Sequence, residues 1–138
     1  MEALTVPAVL DSLSPIGQYV LRAAGDAGLD RKASYRLRLA VDEIATNIID
    51  HGYGDAGVAG EILIRADLDK NALVITLEDT ATPFDPTTRM RPEQIDKPIE
   101  ERPIGGLGVY LAVEGVDEFR YEYAGNRNRN VFVMKRLG

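Results

Sequence analysis

The sequence predicts an α+β two-layer sandwich, a mixed, mostly antiparallel sheet with about three helices on one face. Three observations predict it. Two stretches of helical apolar spacing, over residues 10–27 and 30–51, come one after the other near the start. Two pairs of strand-like segments come later, each pair closed by a short polar turn, and strands joined this way pair antiparallel. A third helical stretch opens on glycines between the two pairs. The order is βααββ, a long loop, then αββ, in one domain spanning residues 1–138.

Residues 3–6 (ALTV) form a short first strand, and Pro7, which has no N–H to donate, restricts it to a sheet edge. Ile16, Val20, Ala23, Ala24 and Ala27 then recur at helical spacing, and Gly28 ends the helix. Asp30 caps a second helix that runs to about His51, with Leu37, Val41, Ile44 and Ile48 as its apolar stripe and Gly52 and Gly54 as its end. Ile62, Ile64, Ala66 and Leu68 alternate with charged or exposed partners. Asp69-Lys70-Asn71 is turn chemistry, and Leu73, Ile75 and Leu77 make the inward face of the next strand. Residues 80–104 carry five of the seven prolines, and a segment of this length and composition inside a compact domain is a loop or lid, placed at about 85–103. Gly105-Gly106-Leu107-Gly108 opens the third helix. Phe119, Tyr121 and Tyr123 share a face of the following strand, and Val131–Met134 form the last, joined to it by a polar GNRNRN turn.

Composition excludes several kinds of chemistry. There is no cysteine, so no disulfide, thiolate zinc site or cysteine nucleophile, and the single histidine, His51, rules out a multi-histidine metal site. A formal net charge of −6 lacks the basic footprint of a nucleic-acid binder. The apolar runs are too short to span a membrane, and MEALTVPAVLDSL has no basic n-region or cleavage site, so the expectation is a soluble cytoplasmic protein without nucleic-acid or membrane contact.

Three features carry chemistry. Glu43, Asn47 and His51 stand at i, i+4 and i+8, which at about 3.6 residues per turn puts them in one arc beside the apolar stripe, with Asp50 nearby. Asn47 is a poor helix former in an isoleucine-rich turn. Its amide oxygen suits Mg²⁺, and Glu43 one turn earlier could take a proton from a hydroxyl near that metal. Taken alone, the row reads equally well as a solvated helix face. Asp79 lies in phase with Leu73, Ile75 and Leu77 and so needs a partner, for which the amino group of adenine is one candidate and a turn of its own the other. The glycines at 105, 106 and 108 let backbone approach a polyphosphate at a helix N-terminus, although the segment is neither a Walker A loop nor GxGxxG. Arg102, just before them, is placed to neutralise phosphate charge.

The blocks LAVDEIATNIIDHGYG (39–54), LEDTATPFDP (77–86), RPIGGLGVYLAVEGVDEFRYE (102–122) and NVFVMKRLG (130–138) together resemble the GHKL ATPase/kinase superfamily, the Bergerat ATP-binding fold, and within it the anti-sigma-factor serine kinases of the SpoIIAB/RsbW type. The resemblance covers nearly the whole chain. It implies that ATP and Mg²⁺ are the cofactors. By the same resemblance Asn47 holds Mg²⁺, Glu43 is the catalytic base and Asp79 binds the adenine amino group. Gly105, Gly106, Leu107 and Gly108, with Arg102, hold the phosphates. It further implies an anti-sigma regulatory kinase that phosphorylates a serine of a STAS-domain anti-anti-sigma protein, with a sigma factor and a second copy of the chain as further partners. Two departures stand out. The usual Asp-x-Gly reads Asp79-Thr80-Ala81, and the Gly-Thr pair that often opens the last strand is replaced in the run Asn128-Arg129-Asn130-Val131. They leave open an alternative, a non-catalytic partner-binding module in which ATP is structural or not bound.

Overall fold

The computed structural model describes residues 1–54, 59–89 and 106–136. The elements are β1 (Leu4–Pro7), a 3-10 turn (Leu10–Ser12), α1 (Leu13–Asp26), α2 (Arg31–Asn47), a π-helical segment (Ile48–Gly54), β2 (Glu61–Leu68), β3 (Ala72–Asp79), a second 3-10 turn (Pro86–Arg89), α3 (Gly106–Glu114), β4 (Glu118–Ala124) and β5 (Arg127–Lys135). The strands form one five-stranded sheet in the order β1-β2-β3-β5-β4, and every pairing is antiparallel. The expected α+β sandwich is thus the one observed, and β1, which ends on Pro7, is at the sheet edge.

The inner face of the sheet obeys period 2. Ile62, Ile64 and Ala66 of β2, Leu73, Ile75 and Leu77 of β3, and Phe132 and Met134 of β5 are buried in one cluster with Ile16, Val20, Leu37, Val41 and Ile44 of the helices. Asp30 caps α2 as expected, its Oδ1 accepting the Ala33 N–H at 2.8 Å. Asp69 closes the β2–β3 turn by accepting the N–H groups of Asn71 at 2.7 Å and Ala72 at 2.9 Å. Leu68, at the hairpin end, is exposed instead of inward.

The outer face is closed by ion pairs. The buried Glu78 carboxylate takes Arg65 at 2.8 Å, Arg129 at 3.3 Å and Arg127 at 3.8 Å, and Thr76, Val131 and Val133 are buried on the same face.

Two local expectations change. The second helix does not continue regularly to His51. It is α-helical to Asn47, and the wider π-helical segment carries Ile48–Gly54, so His51 leaves the row of Glu43 and Asn47 and is exposed. Nor is GNRNRN a turn. The turn is Gly125-Asn126 alone, with φ of +60° and +62°, the left-handed conformations that a two-residue hairpin needs. Arg127 to Asn130 therefore belong to β5, and Asn128 and Asn130 point inward.

Gly60, just before β2, is packed against Tyr53. A Cβ there would lie 2.2 Å from the Cε1 atom of that buried ring, whose hydroxyl accepts the Thr80 N–H at 3.0 Å. Gly60→Ala is expected to destabilise the fold by about 1–3 kcal/mol through overpacking, read as a lower midpoint in urea unfolding.

Candidate functional site

The π-helical segment, the end of β3, the loop after it and the start of β5 enclose a cleft. Ile44, Asn47, Ile48, Gly52, Asp79 and Ala81 line one part, and Thr82, Phe84, Pro86, Asn128 and Asn130 complete it. The space is about 290 Å³ including its open mouth.

Asp79 ends β3, where period 2 carries it inward, and it is only 2% exposed. Its Oδ1 accepts the Ala81 N–H at 2.9 Å and the Asn128 Nδ2–H at 2.9 Å. Its Oδ2 is buried with no hydrogen-bond partner among the described residues. Burial raises the Asp79 pKa above the ordinary carboxylate value, opposed by the hydrogen bonds from Asn128 and Ala81. A half-satisfied buried carboxylate is costly unless a ligand completes it.

Asn128 pairs directly with Asp79 across β3 and β5. Besides Asp79, its Nδ2 donates to the Ala81 carbonyl at 3.0 Å, while its Oδ1 accepts from the Phe84 N–H at 3.1 Å and from the Tyr121 hydroxyl. One buried amide thus ties the strand end, the loop after it and β4 together. Ala81 fills the wall beside the π-helical segment, where a Cβ on Gly52 would come within 3.1 Å of the Ala81 Cβ. Asn130, two residues along β5 on the same face, is 1% exposed, and its Oδ1 has no partner among the described residues.

Asn47, buried at the last turn of α2, donates its Nδ2–H to the Glu43 carbonyl at 3.1 Å. That bond fixes the amide and leaves its carbonyl oxygen as the end available to a ligand. A hard neutral oxygen held this way suits Mg²⁺ that keeps its other positions for water and phosphate.

Glu43 is one turn away but faces a different space. It lines a groove of about 180 Å³ between α2 and α3 with Arg36, Leu39, Gly108, Ala112 and Gly115. Burial, and to a lesser extent the charge of Asp42, raises the pKa of its carboxyl. Gly108 is in the first turn of α3, and a Cβ on it would come 2.4 Å from the Glu43 Oε1, so this carboxylate lies directly on the backbone of the glycine-led helix. Gly106, Leu107 and Gly108 begin α3, as expected of a helix opening on glycines. Arg102, Gly105 and most of the 85–103 segment lie outside the described residues.

Asn47 and Asp79, separated by a strand pair in sequence, therefore meet in one cleft, with Glu43 and the start of α3 beside it. Asn128 and Asn130 were not among the candidates. Their signal was parity, since both are in phase with Phe132 and Met134.

Comparison with known proteins bears on the fold and the family. Two solved structures show the fold alone: the histidine kinase domain from Erythrobacter litoralis EL346 blue-light activated histidine kinase (TM-score 0.53, 21% identity, covering 88% of this chain and 58% of that one) and the Acinetobacter baumannii histidine kinase AdeS (TM-score 0.52, 13% identity, covering 100% of this chain and 70% of that one). Among curated proteins the chain is similar to the serine-protein kinase RsbW of Bacillus thuringiensis (strain Al Hakam), 36% identical over 87 residues that make up 61% of this chain and 53% of that protein. It is 28% identical over 120 residues, 85% of this chain and 74% of that protein, to the serine-protein kinase RsbW of Bacillus mycoides (strain KBAB4). The chain spans about half the length of the first of these relatives. Among the described residues no helix is long and apolar enough to cross a membrane. Residues 6–135, nearly the whole chain, match the histidine kinase-like ATPase domain, and the chain belongs to that family.

Proposed function

We propose that the chain binds ATP with Mg²⁺ and transfers the terminal phosphoryl group to a serine of a STAS-domain anti-anti-sigma protein, with a sigma factor and a second copy of itself as further partners. The observation that carries the reading is the buried Asp79 Oδ2 without a partner among the described residues, in a cleft that also holds the Asn47 amide. An adenine amino group would complete Asp79, and the similarity to serine-protein kinases RsbW supports the phosphotransfer.

ATP supplies the phosphoryl group, and Mg²⁺ the neutralisation of its charge. The residues do the rest. Asp79 accepts a hydrogen bond from the base and fixes its direction. Asn47 offers one oxygen to the metal. Gly106 and Gly108, at the start of α3, bring backbone N–H groups and the positive end of the helix dipole to the phosphates, with Gly105, Leu107 and Arg102 on the same segment. Glu43 takes the proton from the serine hydroxyl, reached through the groove between α2 and α3, and its raised pKa makes its ionised form a stronger base.

A second reading is favoured by one feature, Ala81 packed beside Gly52 in the wall of the cleft. It takes the chain as a binding module that holds its partner without phosphorylating it. Calorimetric titration of ATP, with and without Mg²⁺, separates the two. Saturable binding that needs Mg²⁺, and whose Mg²⁺ dependence disappears in Asn47→Ala, is the expected result. No binding at millimolar ATP overturns the nucleotide reading and leaves the binding module.

A further inference from the structure

We propose that Arg36, with Tyr35 and Leu39 beside it, is the residue by which α2 selects the protein substrate, and that this substrate carries an acidic side chain about 10 Å from its acceptor hydroxyl. The proposal rests on the reading of Glu43 as the base that receives that hydroxyl. Arg36 and Glu43 line the same groove between α2 and α3, with Leu39 between them. Seven residues are close to two turns of an α-helix, so both side chains leave α2 on nearly one line, roughly 10 Å apart along its axis. The opposite wall is Gly108, Ala112 and Gly115, where no side chain is larger than a methyl. A segment that brings its hydroxyl to Glu43 along this groove therefore lies over Leu39 and Arg36.

The charge at that position is uncompensated. The run RKASYRLR, residues 31–38, holds four of the 16 basic residues, and no acidic residue lies between Asp30 and Asp42, in a chain of net charge −6. Arg31, Lys32, Arg36 and Arg38 are exposed, and none has an ion pair among the described residues. A run of charge on a helix is usually only a solvated face, and what sets Arg36 apart is its place in the groove. Arg38 leaves the helix on the other side, over Gly17 of α1, where a Cβ would come 3.0 Å from its Nε. Tyr35 and Leu39, one turn apart and 56% and 47% exposed, make the ridge between the two arginines.

Covering an arginine strips its water, and a neutral surface makes no hydrogen bond in exchange. A substrate that lies over Arg36 must therefore bring a carboxylate, which the guanidinium can hold through two N–H groups. One without it is rejected. Tyr35 and Leu39 give the same contact an apolar centre. The partner that fits is thus an acidic protein surface with an apolar middle. A polyanion or an anionic membrane extends past this short strip and meets the acidic excess of the rest of the chain.

The test measures kcat and KM for phosphate transfer from radiolabelled ATP to a STAS-domain anti-anti-sigma protein, with ATP affinity from calorimetry, in the wild type, Arg36→Ala, Arg36→Glu and Arg38→Glu. Arg36→Glu is expected to raise the KM for the protein substrate about tenfold or more, and Arg36→Ala by less. Both should leave kcat and ATP affinity unchanged, and the effect should shrink as salt is raised. Arg38→Glu makes the same charge change on the α1 side and is expected to move KM far less. Changing to arginine the acidic residue that lies about 10 Å from the acceptor serine of the STAS protein should restore transfer by Arg36→Glu and weaken transfer by the wild type. An unchanged KM in Arg36→Glu overturns the docking role, as does an equal rise in Arg38→Glu, and both results leave the base and nucleotide readings standing. Loss of binding to phosphatidylglycerol vesicles in Arg36→Glu, with its KM unaffected, overturns the role too and makes the strip a membrane face. A wild type that binds ATP but transfers phosphate to no STAS-domain protein overturns the phosphotransfer reading and this role with it.

Discussion

Asp79→Asn is expected to weaken ATP binding by about ten- to a hundredfold, the range for a hydrogen bond to a charged group, and to make the unliganded protein more stable at neutral pH. The first effect comes from the site. The substitution keeps an oxygen that can accept from Asn128 and Ala81 but replaces the free Oδ2 acceptor with an amide donor, which meets the adenine amino group donor to donor. The second comes from linkage. Burial raises the Asp79 pKa in the fold. A carboxyl with a raised folded pKa contributes stability that is fully present below its unfolded value, about 3.9. That contribution is lost as the pH rises through the higher folded value. Above that unfolded value the wild type therefore carries a linkage cost that the amide variant does not. Thermal melting from about pH 3.5 to 7.5, a range that brackets the ordinary carboxylate value, should show the advantage of Asp79→Asn growing with pH and small at the acid end. A variant that binds ATP as the wild type does would show that Asp79 serves only its own turn. That is the other reading its position at a strand end allows, and the bonds to Ala81 and Asn128 are the contacts it would consist of.

How far the site could be read from sequence depended on whether periodicity stayed regular. Glu43 and Asn47 were legible because α2 is α-helical through both, and Asp79 because β3 keeps period 2 to its last residue. The inward strand residues and the Asp30 cap come from the same regularity. His51 was misplaced because no residue pattern announces the π-helical segment, and one wider turn is enough to rotate a side chain out of a row. Asn128 and Asn130 were missed because a run of asparagines and arginines after Gly125 has turn composition. Yet a hairpin with positive φ at Gly125 and Asn126 needs only those two residues. The residues from Arg127 onward must then be strand, and their alternation puts both asparagines on the side of Phe132. The departure from the Gly-Thr pattern thus has a structural counterpart. Asn128 takes the place beside Asp79 and also holds the loop through Ala81 and Phe84.

Glu43→Gln is expected to lower phosphotransfer to a STAS-domain partner by about a hundredfold or more, the usual loss for a general base, with ATP affinity unchanged. Glu43 lines the groove between α2 and α3 and not the cleft of Asp79 and Asn47, so its loss should leave the ATP contacts intact. Gly108→Ala tests the same assignment without touching the carboxylate. A Cβ at 108 would come 2.4 Å from Glu43 Oε1, and since that atom is the far end of a flexible side chain, the carboxylate must swing away while the backbone holds. In a helix, alanine in place of glycine adds up to about 1 kcal/mol of stability, so the variant should melt no lower than wild type and still transfer phosphate slowly. The pH profile supplies a third reading. The base works only when ionised, and burial raises the Glu43 pKa, so the acid limb of kcat/KM should lie above the ordinary glutamate value of about 4.3. In Glu43→Gln that limb should vanish from the residual activity. If the glutamine variant transferred phosphate at the wild-type rate, Glu43 would be a residue of the groove alone, and the proton would have to leave the serine by another route.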